Sequence, residues 1–314
     1  MAQGERFSLA LFSKEDNMDI NSILQLFISG ISVGAVYALI AVGFAIVYSI
    51  MKFSNFAHGG MISACAYIGY FFQNAFETTP PFFVTVIFTA LCGIAMALCV
   101  DTVAYRRIRK KQAPNIYYFL SSITIAILIE QILSVFLGKN LYAYPAIFER
   151  TTFNIGNFRV STVDTLILCV SLAILAILIF VINKTKIGLS IRTVAISPET
   201  SRLMGINSGV VIMTVFCIAG ALAGISGVLL GAKFSVYPSL GPSMMIKGFI
   251  ASVIGGLGSL GGAIIAAILL GIVEMYLTYW IGSLASPIVL FGGMLIFLAV
   301  RPEGISGRFA KDKV

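Results

Sequence analysis

Charge is scarce in this sequence, and that scarcity excludes most soluble proteins. Of 314 residues, 11% are Asp, Glu, Lys or Arg, whereas 59% belong to the apolar set. Soluble globular domains carry about 25% charged residues, which keep their surfaces in contact with water. The chain is therefore predicted to use lipid as its solvent, and its abundant Leu, Ile, Val and Phe exclude a disordered polypeptide.

The sequence also lacks the motifs of a nucleotide-hydrolysing or metal-dependent protein. It contains no phosphate-binding loop of the G-x-x-x-x-G-K-[ST] type, so the chain is not expected to use ATP itself. His58 is its single histidine, and the five cysteines show no metal-ligand spacing. We therefore predict no catalytic residue, no metal site and no cofactor in this chain.

The cations that are present gather between apolar runs. The net charge of +8 reflects 21 Lys and Arg against 13 Asp and Glu. Three clusters hold 13 of those 21 cations: Arg106, Arg107, Arg109, Lys110 and Lys111; Lys184, Lys186, Arg192 and Arg202; and Arg301, Arg308, Lys311 and Lys313. Basic residues in short loops beside membrane spans mark the cytoplasmic side. This pattern predicts that all three clusters face the cytoplasm and gives no reason to expect nucleic-acid binding.

Apolar runs of the length of a membrane span recur along the chain. One crossing needs about 20 helical residues, and clear runs of that length lie at 82–105, 116–137, 163–182 and 210–230. The run 20–51 is too long for one straight crossing, so we expect it to tilt, break or re-enter. Residues 244–300 fit either one crossing with a re-entrant hairpin or three short crossings. The fold class is an all-α polytopic membrane bundle of about eight transmembrane segments, within a range of roughly seven to ten.

The runs define a predicted membrane domain at 20–300 with a polar N-terminal segment at 1–19 and a basic cytoplasmic tail at 301–314. A long cytoplasmic loop at 183–209 contains Ser197-Pro198-Glu199-Thr200, which is typical of a helix start with a serine N-cap and proline at the first position. This helix would run to about Ile206. Leu203, Met204 and Ile206 would give it an apolar patch, and Gly205 and Gly209 could end it. Such a helix would either rest on the membrane surface or dock a cytoplasmic partner.

Ionisable and glycine-rich positions inside the apolar runs are the other unusual features. Glu130, Lys247 and Glu274 are charges at membrane depth, where an unpaired charge is costly, and Lys247 and Glu274 could neutralise each other. His58 lies in a polar interruption at 54–60. Five glycines occur within 255–262, which predicts a broken or re-entrant helix facing protein or water rather than lipid.

Four motifs, in order and at these separations, carry a resemblance to a known family. They are Gly-Ala-Val-Tyr-Ala-Leu-Ile-Ala-Val-Gly at 34–43, Asn-Phe-Ala-His-Gly at 55–59, Ile-Gly-Gly-Leu-Gly-Ser at 254–259 and Arg-Pro-Glu-Gly-Ile at 301–305. The chain resembles the permease subunits of bacterial branched-chain amino acid ABC transporters. The resemblance covers nearly the whole sequence, from about residue 23 to the C-terminal tail, and it implies a multi-pass protein of the bacterial inner membrane.

The resemblance implies a set of partners and a cargo. The chain would work with a second related permease or a second copy of itself, two cytoplasmic ATPase subunits that use ATP and Mg²⁺, and an extracytoplasmic substrate-binding protein. Its cargo would be a branched-chain or other hydrophobic amino acid, with urea, short amides or another small solute as the alternative. The family's ATPase-docking helix matches 195–205, and the candidate coupling residues are Ala195, Ser197, Pro198, Glu199, Leu203, Met204 and Gly205.

The candidate passage combines the polar interruption with the glycine-rich break, because non-helical backbone can offer carbonyls and amides to a zwitterion. Its predicted residues are Asn55, His58, Gly255, Gly256, Gly258, Gly261 and Gly262. Two functions of other classes stay open at this point. One is an ion-coupled secondary carrier that uses Glu130, Lys247 or Glu274 as relays. The other is a membrane scaffold whose loop only recruits proteins.

Overall fold

The computed structural model describes residues 20–76, 80–138, 140–145, 152–155, 158–301 and 304–305. Its helices follow in chain order as α1 (Ile20–Met51), α2 (Ala57–Asn74), α3 (Phe82–Val100), α4 (Arg106–Lys110), α5 (Asn115–Leu137), α6 (Thr162–Lys184), α7 (Lys186–Ile196), α8 (Pro198–Leu203), α9 (Ser208–Lys233), α10 (Leu240–Gly255), α11 (Leu260–Ile281) and α12 (Ser286–Val300). An antiparallel hairpin of β1 (Thr152–Ile155) and β2 (Phe158–Ser161) precedes α6. The predicted segment at 1–19 and most of the tail at 301–314 lie outside the described residues.

The lengths of the helices confirm a polytopic membrane bundle. Within the described ranges, six helical segments are long and apolar enough to cross a membrane: Ile23–Met51, Phe82–Lys110, Asn115–Leu137, Thr162–Lys184, Ser208–Lys233 and Leu260–Ile281. With the shorter apolar helices α10 and α12, these segments number eight, which agrees with the prediction of about eight. The helix α2 adds 18 residues that are mostly buried in the bundle.

The helix α1 lies at the centre of the bundle and is unbroken over 32 residues. The expectation of a break or re-entry was therefore wrong. Glycines serve close packing here and not bending, because a Cβ on Gly30 would lie 2.8 Å from Ile272 Cα and one on Gly34 would lie 2.7 Å from Ile268 Cα. Small residues let helix backbones approach closely in lipid, and this places α11 directly against α1.

The first cationic cluster is helical, although the sequence predicted a loop at 106–111. A π-helical turn, Asp101–Tyr105, joins α3 to α4, so the helical span continues from Phe82 to Lys110. Arg and Lys are good helix formers and are favoured near the negative C-terminal end of a helix. The cations therefore extend the span beyond its apolar part instead of ending it.

Contacts between distant segments define the two ends of the bundle. One end, which we call the basic end, carries the helix α4 with its Arg and Lys residues. Near it, the side-chain amide of Asn115 donates to the carbonyl of Lys52 at 3.4 Å. At the opposite end, the first turn of α6 carries Asp164, which pairs with Lys233 at the end of α9 and accepts from Ser29 at 3.2 Å. In a loop near that end, burial raises the pKa of Tyr144, whose hydroxyl donates to the carbonyl of Ala66 at 2.8 Å.

Residues 240–300 form three separate helices, α10, α11 and α12. This agrees with three short segments and not with one crossing plus a re-entrant hairpin. The glycine-rich stretch forms the predicted break, because α10 ends at Gly255 and α11 begins at Leu260. Gly256 and Gly258 have φ values of 101° and 86°, which side chains rarely tolerate.

Candidate functional site

The segment between α1 and α2 is held by hydrogen bonds from other parts of the chain. The carboxamide oxygen of Asn55 accepts from the hydroxyl of Tyr105 at 2.8 Å. The backbone N–H of Phe56 donates to Ser122 Oγ at 3.2 Å, and that hydroxyl lies 3.2 Å from the carbonyl of Ser54. Because Tyr105 belongs to the π-helical turn and Ser122 to α5, these bonds tie Asn55 and its neighbours Ser54 and Phe56 to two structural elements.

His58 lies one turn further along, in the first turn of α2, and is 1% exposed. Its ring packs on Gly43 of α1 so closely that a Cβ at Gly43 would lie 2.8 Å from His58 Cε1. Among the described residues, neither ring nitrogen of His58 nor Asn55 Nδ2 has a hydrogen-bond partner. Buried polar atoms are normally satisfied by protein or by ordered water. These three nitrogens therefore mark a position where water or a polar solute fits the chemistry of the chain.

The π-helical turn presents Tyr105 to Asn55 and is itself fixed by an ion pair. Arg109 donates to both carboxylate oxygens of Asp101 at 3.1 and 3.3 Å, and Asp101 is 3% exposed. A two-pronged arginine–carboxylate pair fixes geometry as well as charge. The basic helix α4 is thereby connected to the buried segment that carries Asn55.

Replacing Tyr105 with phenylalanine is expected to lower the free energy of unfolding by about 1–2 kcal/mol, because the buried Asn55 oxygen loses its hydroxyl donor. Tyr117→Phe is the matched control, since Tyr117 is 56% exposed on α5. Unfolding midpoints of both variants in detergent measure the difference. Equal midpoints would show that the bond between Tyr105 and Asn55 contributes nothing to stability.

The glycine-rich break lies closer to the basic end than His58 does. The Cα of Ser49 on α1 is 3.8 Å from a Cβ built at Gly258, and Ser49 is six residues beyond Gly43, which contacts His58. Six helical residues correspond to about 9 Å along the axis. Gly255 packs against the backbone of Gly262, whereas a Cβ on Gly261 would meet nothing within 4 Å. The two halves of the predicted passage thus lie at different depths along α1.

The predicted intramembrane charges separate into a pair and a single residue. Lys247 Nζ lies 2.5 Å from Glu274 Oε1 and 3.0 Å from the hydroxyl of Tyr37, so α10, α11 and α1 meet at one polar cluster. The second carboxylate oxygen of Glu274 is buried and has no partner in the described part of the chain. Glu130 is half-buried on α5, a helix that contributes no residue to this pair.

The predicted coupling segment folds as its sequence indicates. Ser197 caps α8 by accepting from the backbone N–H of Thr200 at 3.2 Å, and Pro198 is the first helical residue. The helix ends at Leu203 and turns at Gly205, whose φ is +81°. The prediction extended it to residue 206, but Gly205 in the left-handed region stops it earlier.

Three apolar side chains around α8 are left uncovered by the residues that the structure describes. Ile196 is 87% exposed, Leu203 88% and Met204 76%. We call these three residues the α8 patch. Such exposure within a polar, cationic segment indicates a surface that another molecule covers.

Sequence reasoning missed the helix α7, which connects the α8 patch to the bundle. It buries Gly188, Ile191 and Val194, which are spaced three residues apart along one face. That spacing was the available signal, since apolar residues at helical intervals predict an amphipathic helix. Through this face α7 packs against α1, α6 and α9.

Comparison with known proteins places these features in a family. Residues 26–299 match the family model described as branched-chain amino acid transport system / permease component. The chain is 30% identical to the high-affinity branched-chain amino acid transport system permease protein BraD of Pseudomonas aeruginosa, over 94% of this chain and 99% of that protein. It is 33% identical to LivH of Escherichia coli K12, a protein of the same description, over 93% and 97%.

A more distant relative is the probable branched-chain amino acid transport permease protein LivH of Methanocaldococcus jannaschii. It is 26% identical and covers 86% of this chain and 88% of its own length. No solved structure matches the chain significantly.

Proposed function

Because this chain belongs to the family of branched-chain amino acid transport permease components, we propose that it carries branched-chain amino acids across the membrane. It is a permease subunit of an ABC importer and a multi-pass protein of the inner membrane, and it is not itself an enzyme. The cargo is supported by the printed descriptions of its relatives, which name branched-chain amino acid transport. An ion-coupled secondary carrier is not favoured.

The family implies ABC transporter partners, and we propose their composition as follows. The chain pairs with a second related permease or a second copy of itself, binds two cytoplasmic ATPases, and receives its cargo from an extracytoplasmic binding protein. In this arrangement ATP and Mg²⁺ are bound and used by the ATPase subunits. The chain itself supplies a path for the cargo and the surface that receives the mechanical work.

The exposed α8 patch is the observation that carries the proposal. The patch is apolar, the exposed Arg202 precedes Leu203 in α8, and the patch continues into α7, whose buried face packs against α1, α6 and α9. A displacement of α8 by a closing ATPase pair would therefore reach the central helix of the bundle through rigid, packed elements. Binding energy then biases two arrangements of the bundle, which is the physical basis of alternating access.

The candidate passage runs past Asn55 and His58 towards the glycine-rich break. Three buried nitrogens that have no partner among the described residues, and a segment of non-helical backbone, suit the charged groups of a zwitterionic amino acid. In this proposal the passage is completed by the second permease, since membrane carriers bind their cargo between repeated units. These residues stay predictions until uptake by their variants is measured.

Replacing Leu203 and Met204 with aspartate is expected to lower ATP-driven leucine uptake about tenfold, because the docking surface loses its apolar contacts and gains two charges. The measurement uses the complete complex in proteoliposomes with its binding protein. The parent complex is expected to accumulate leucine but not urea, and only when ATP is supplied. Co-purification of the ATPase subunits reports on docking separately from uptake.

Leu284→Asp is the matched control, because Leu284 is 91% exposed in the connection between α11 and α12, at the end opposite the α8 patch. It is expected to retain both uptake and ATPase binding. Parental uptake by the Leu203/Met204 variant would refute docking at the α8 patch. Leucine accumulation driven by an ion gradient without any ATPase would instead refute the importer.

A further inference from the structure

A cavity of about 570 Å³ opens at the basic end of the bundle. It lies between the last turns of α1 and α6, the helix α7 and the glycine-rich break. Its polar lining consists of Ser49, Lys52, Asn183, Arg192 and the backbone of 256–261. The cavity borders the α8 patch at Ile196 and includes the glycine-rich break, but Asn55 and His58 do not line it.

The described residues that line this cavity carry positive charge and include no acid. Lys52 and Arg192 both contribute to it, and no Asp or Glu among the described residues does. The ion pairs in the described part of the chain are Arg109 with Asp101, Lys233 with Asp164, and Lys247 with Glu274. The N-terminus of the 22-residue helix α11 also opens into the cavity and adds the positive end of its dipole. Lys52, Arg192 and the N-terminus of α11 therefore all contribute positive potential to the cavity.

The backbone of Lys52 is held in an unusual conformation at the mouth of this cavity. Its φ is 54°, in the left-handed region that few non-glycine residues adopt. The conformation is fixed from both sides, because the Lys52 N–H donates to the carbonyl of Tyr48 at 2.9 Å and its carbonyl accepts from Asn115 at 3.4 Å. A strained residue that the surroundings hold in place is a reason to look for function. Here the two backbone hydrogen bonds hold the cationic residue Lys52 at the cavity.

The remaining walls are apolar. Ile46, Ile179, Ile182 and Leu257 line the cavity on the bundle side, next to the cations. A site with isoleucine walls and a cationic mouth matches an anionic head attached to a hydrocarbon chain. Basic pockets between membrane helices on the cytoplasmic side bind anionic lipid headgroups by this combination of charge and apolar contact.

We propose that this cavity binds a phosphate group, carried by an anionic phospholipid, between Lys52 and Arg192. The inference goes beyond the proposed function and does not depend on the identity of the cargo. Because Arg192 lies on α7 and Lys52 ends α1, an occupant connects the helix behind the α8 patch to the central helix. Transport by the complex then depends on anionic lipid.

The test uses the complete complex in nanodiscs of phosphatidylcholine with and without phosphatidylglycerol, with retained lipid counted by native mass spectrometry. The parent is expected to retain phosphatidylglycerol. The double variant Lys52→Gly and Arg192→Gln is expected to bind it about thirtyfold more weakly, because two cations are lost. Glycine is chosen at position 52 because it accepts the positive φ without added strain.

The matched control is Arg106→Gln with Lys186→Gln, which removes two basic-end cations that do not line the cavity. It is expected to retain the lipid as the parent does. Equal retention by all three proteins would overturn the proposal. Protection of Arg192 from phenylglyoxal by inorganic phosphate, without retention of phosphatidylglycerol, would overturn the lipid as the source and keep the phosphate site.

Discussion

Replacing Lys247 with methionine is expected to prevent the chain from accumulating as folded protein, and replacing Lys247 and Glu274 together is expected to restore it. The two side chains are 13% and 16% exposed and lie 2.5 Å apart at membrane depth. Removing one partner of a buried ion pair costs about 3–5 kcal/mol, because the other charge stays buried without compensation. Lys247 is the cation paired with Glu274, whose second carboxylate oxygen has no hydrogen-bond partner among the described residues.

Membrane yield and unfolding midpoint in detergent measure this prediction for Lys247→Met, for Lys247→Met with Glu274→Met, and for the exposed control Lys186→Met. A buried pair exchanged for apolar residues is often neutral or stabilising. The double variant is therefore expected to approach the parent, while the single variant falls well below it. A single variant as stable as the parent would show that the pair is not a stabilising contact.

Leucine uptake by the double variant separates two roles of this cluster. If the pair only neutralises charge between α10 and α11, the folded double variant is expected to transport at close to the parental rate. A folded double variant without uptake would show that Lys247 or Glu274 acts on the cargo or on an ion. That result would reopen the relay role that the sequence suggested for these residues.

Replacing Gly224 with valine is expected to unfold or misassemble the bundle, with a loss of at least about 3 kcal/mol, because the helices α3 and α9 touch through their backbones. A Cβ at Gly224 would lie 2.1 Å from the carbonyl oxygen of Thr89. On the same crossing, a Cβ at Gly93 would lie 2.1 Å from the carbonyl oxygen of Gly220. The clashes are with backbone, so a side-chain rotation cannot relieve them.

Gly293→Val is the matched control for this substitution. Gly293 lies on α12, and a Cβ there would meet nothing within 4 Å. The control is expected to express and unfold like the parent, whereas Gly224→Val is expected to appear as aggregate in size-exclusion chromatography. Monodisperse Gly224→Val protein with a parental midpoint would mean that α3 and α9 do not cross as closely as described.

Several features of the fold could be predicted because they depend on neighbouring residues. Span lengths follow from runs of apolar side chains, and Ser197 with Pro198 starts a helix wherever it occurs, so α5 and α8 were placed within a few residues. The break after Gly255 follows from the high cost of glycine in a helix interior. Arg192 of the second basic cluster lines one cavity with Lys52, which contacts Asn115 just after the first cluster. The cytoplasmic side of the three clusters stays a prediction.

Other features could not be predicted, since they depend on contacts between distant residues. The sequence raised the pairing of Lys247 with Glu274 only as an option, and it did not single out Gly93, Gly220 or Gly224. The π-helical turn at Asp101–Tyr105 and the cavity at Lys52 and Arg192 were not expected either. Each of these arises where two or more helices meet.

The sequence by itself determined the solvent of this protein, the approximate number of its apolar segments, and the family to which it belongs. Only the tertiary structure decided that α1 is central and α5 peripheral. In the most apolar stretch of each helix, 94% of the residues are buried in α1 and 6% in α5. The physical reason is that both helices are apolar around their whole circumference, because lipid and protein interior are equally apolar surroundings. Hydrophobicity therefore places a helix in the membrane, but only the close fit of glycines, charges and aromatic rings between helices places it in the bundle.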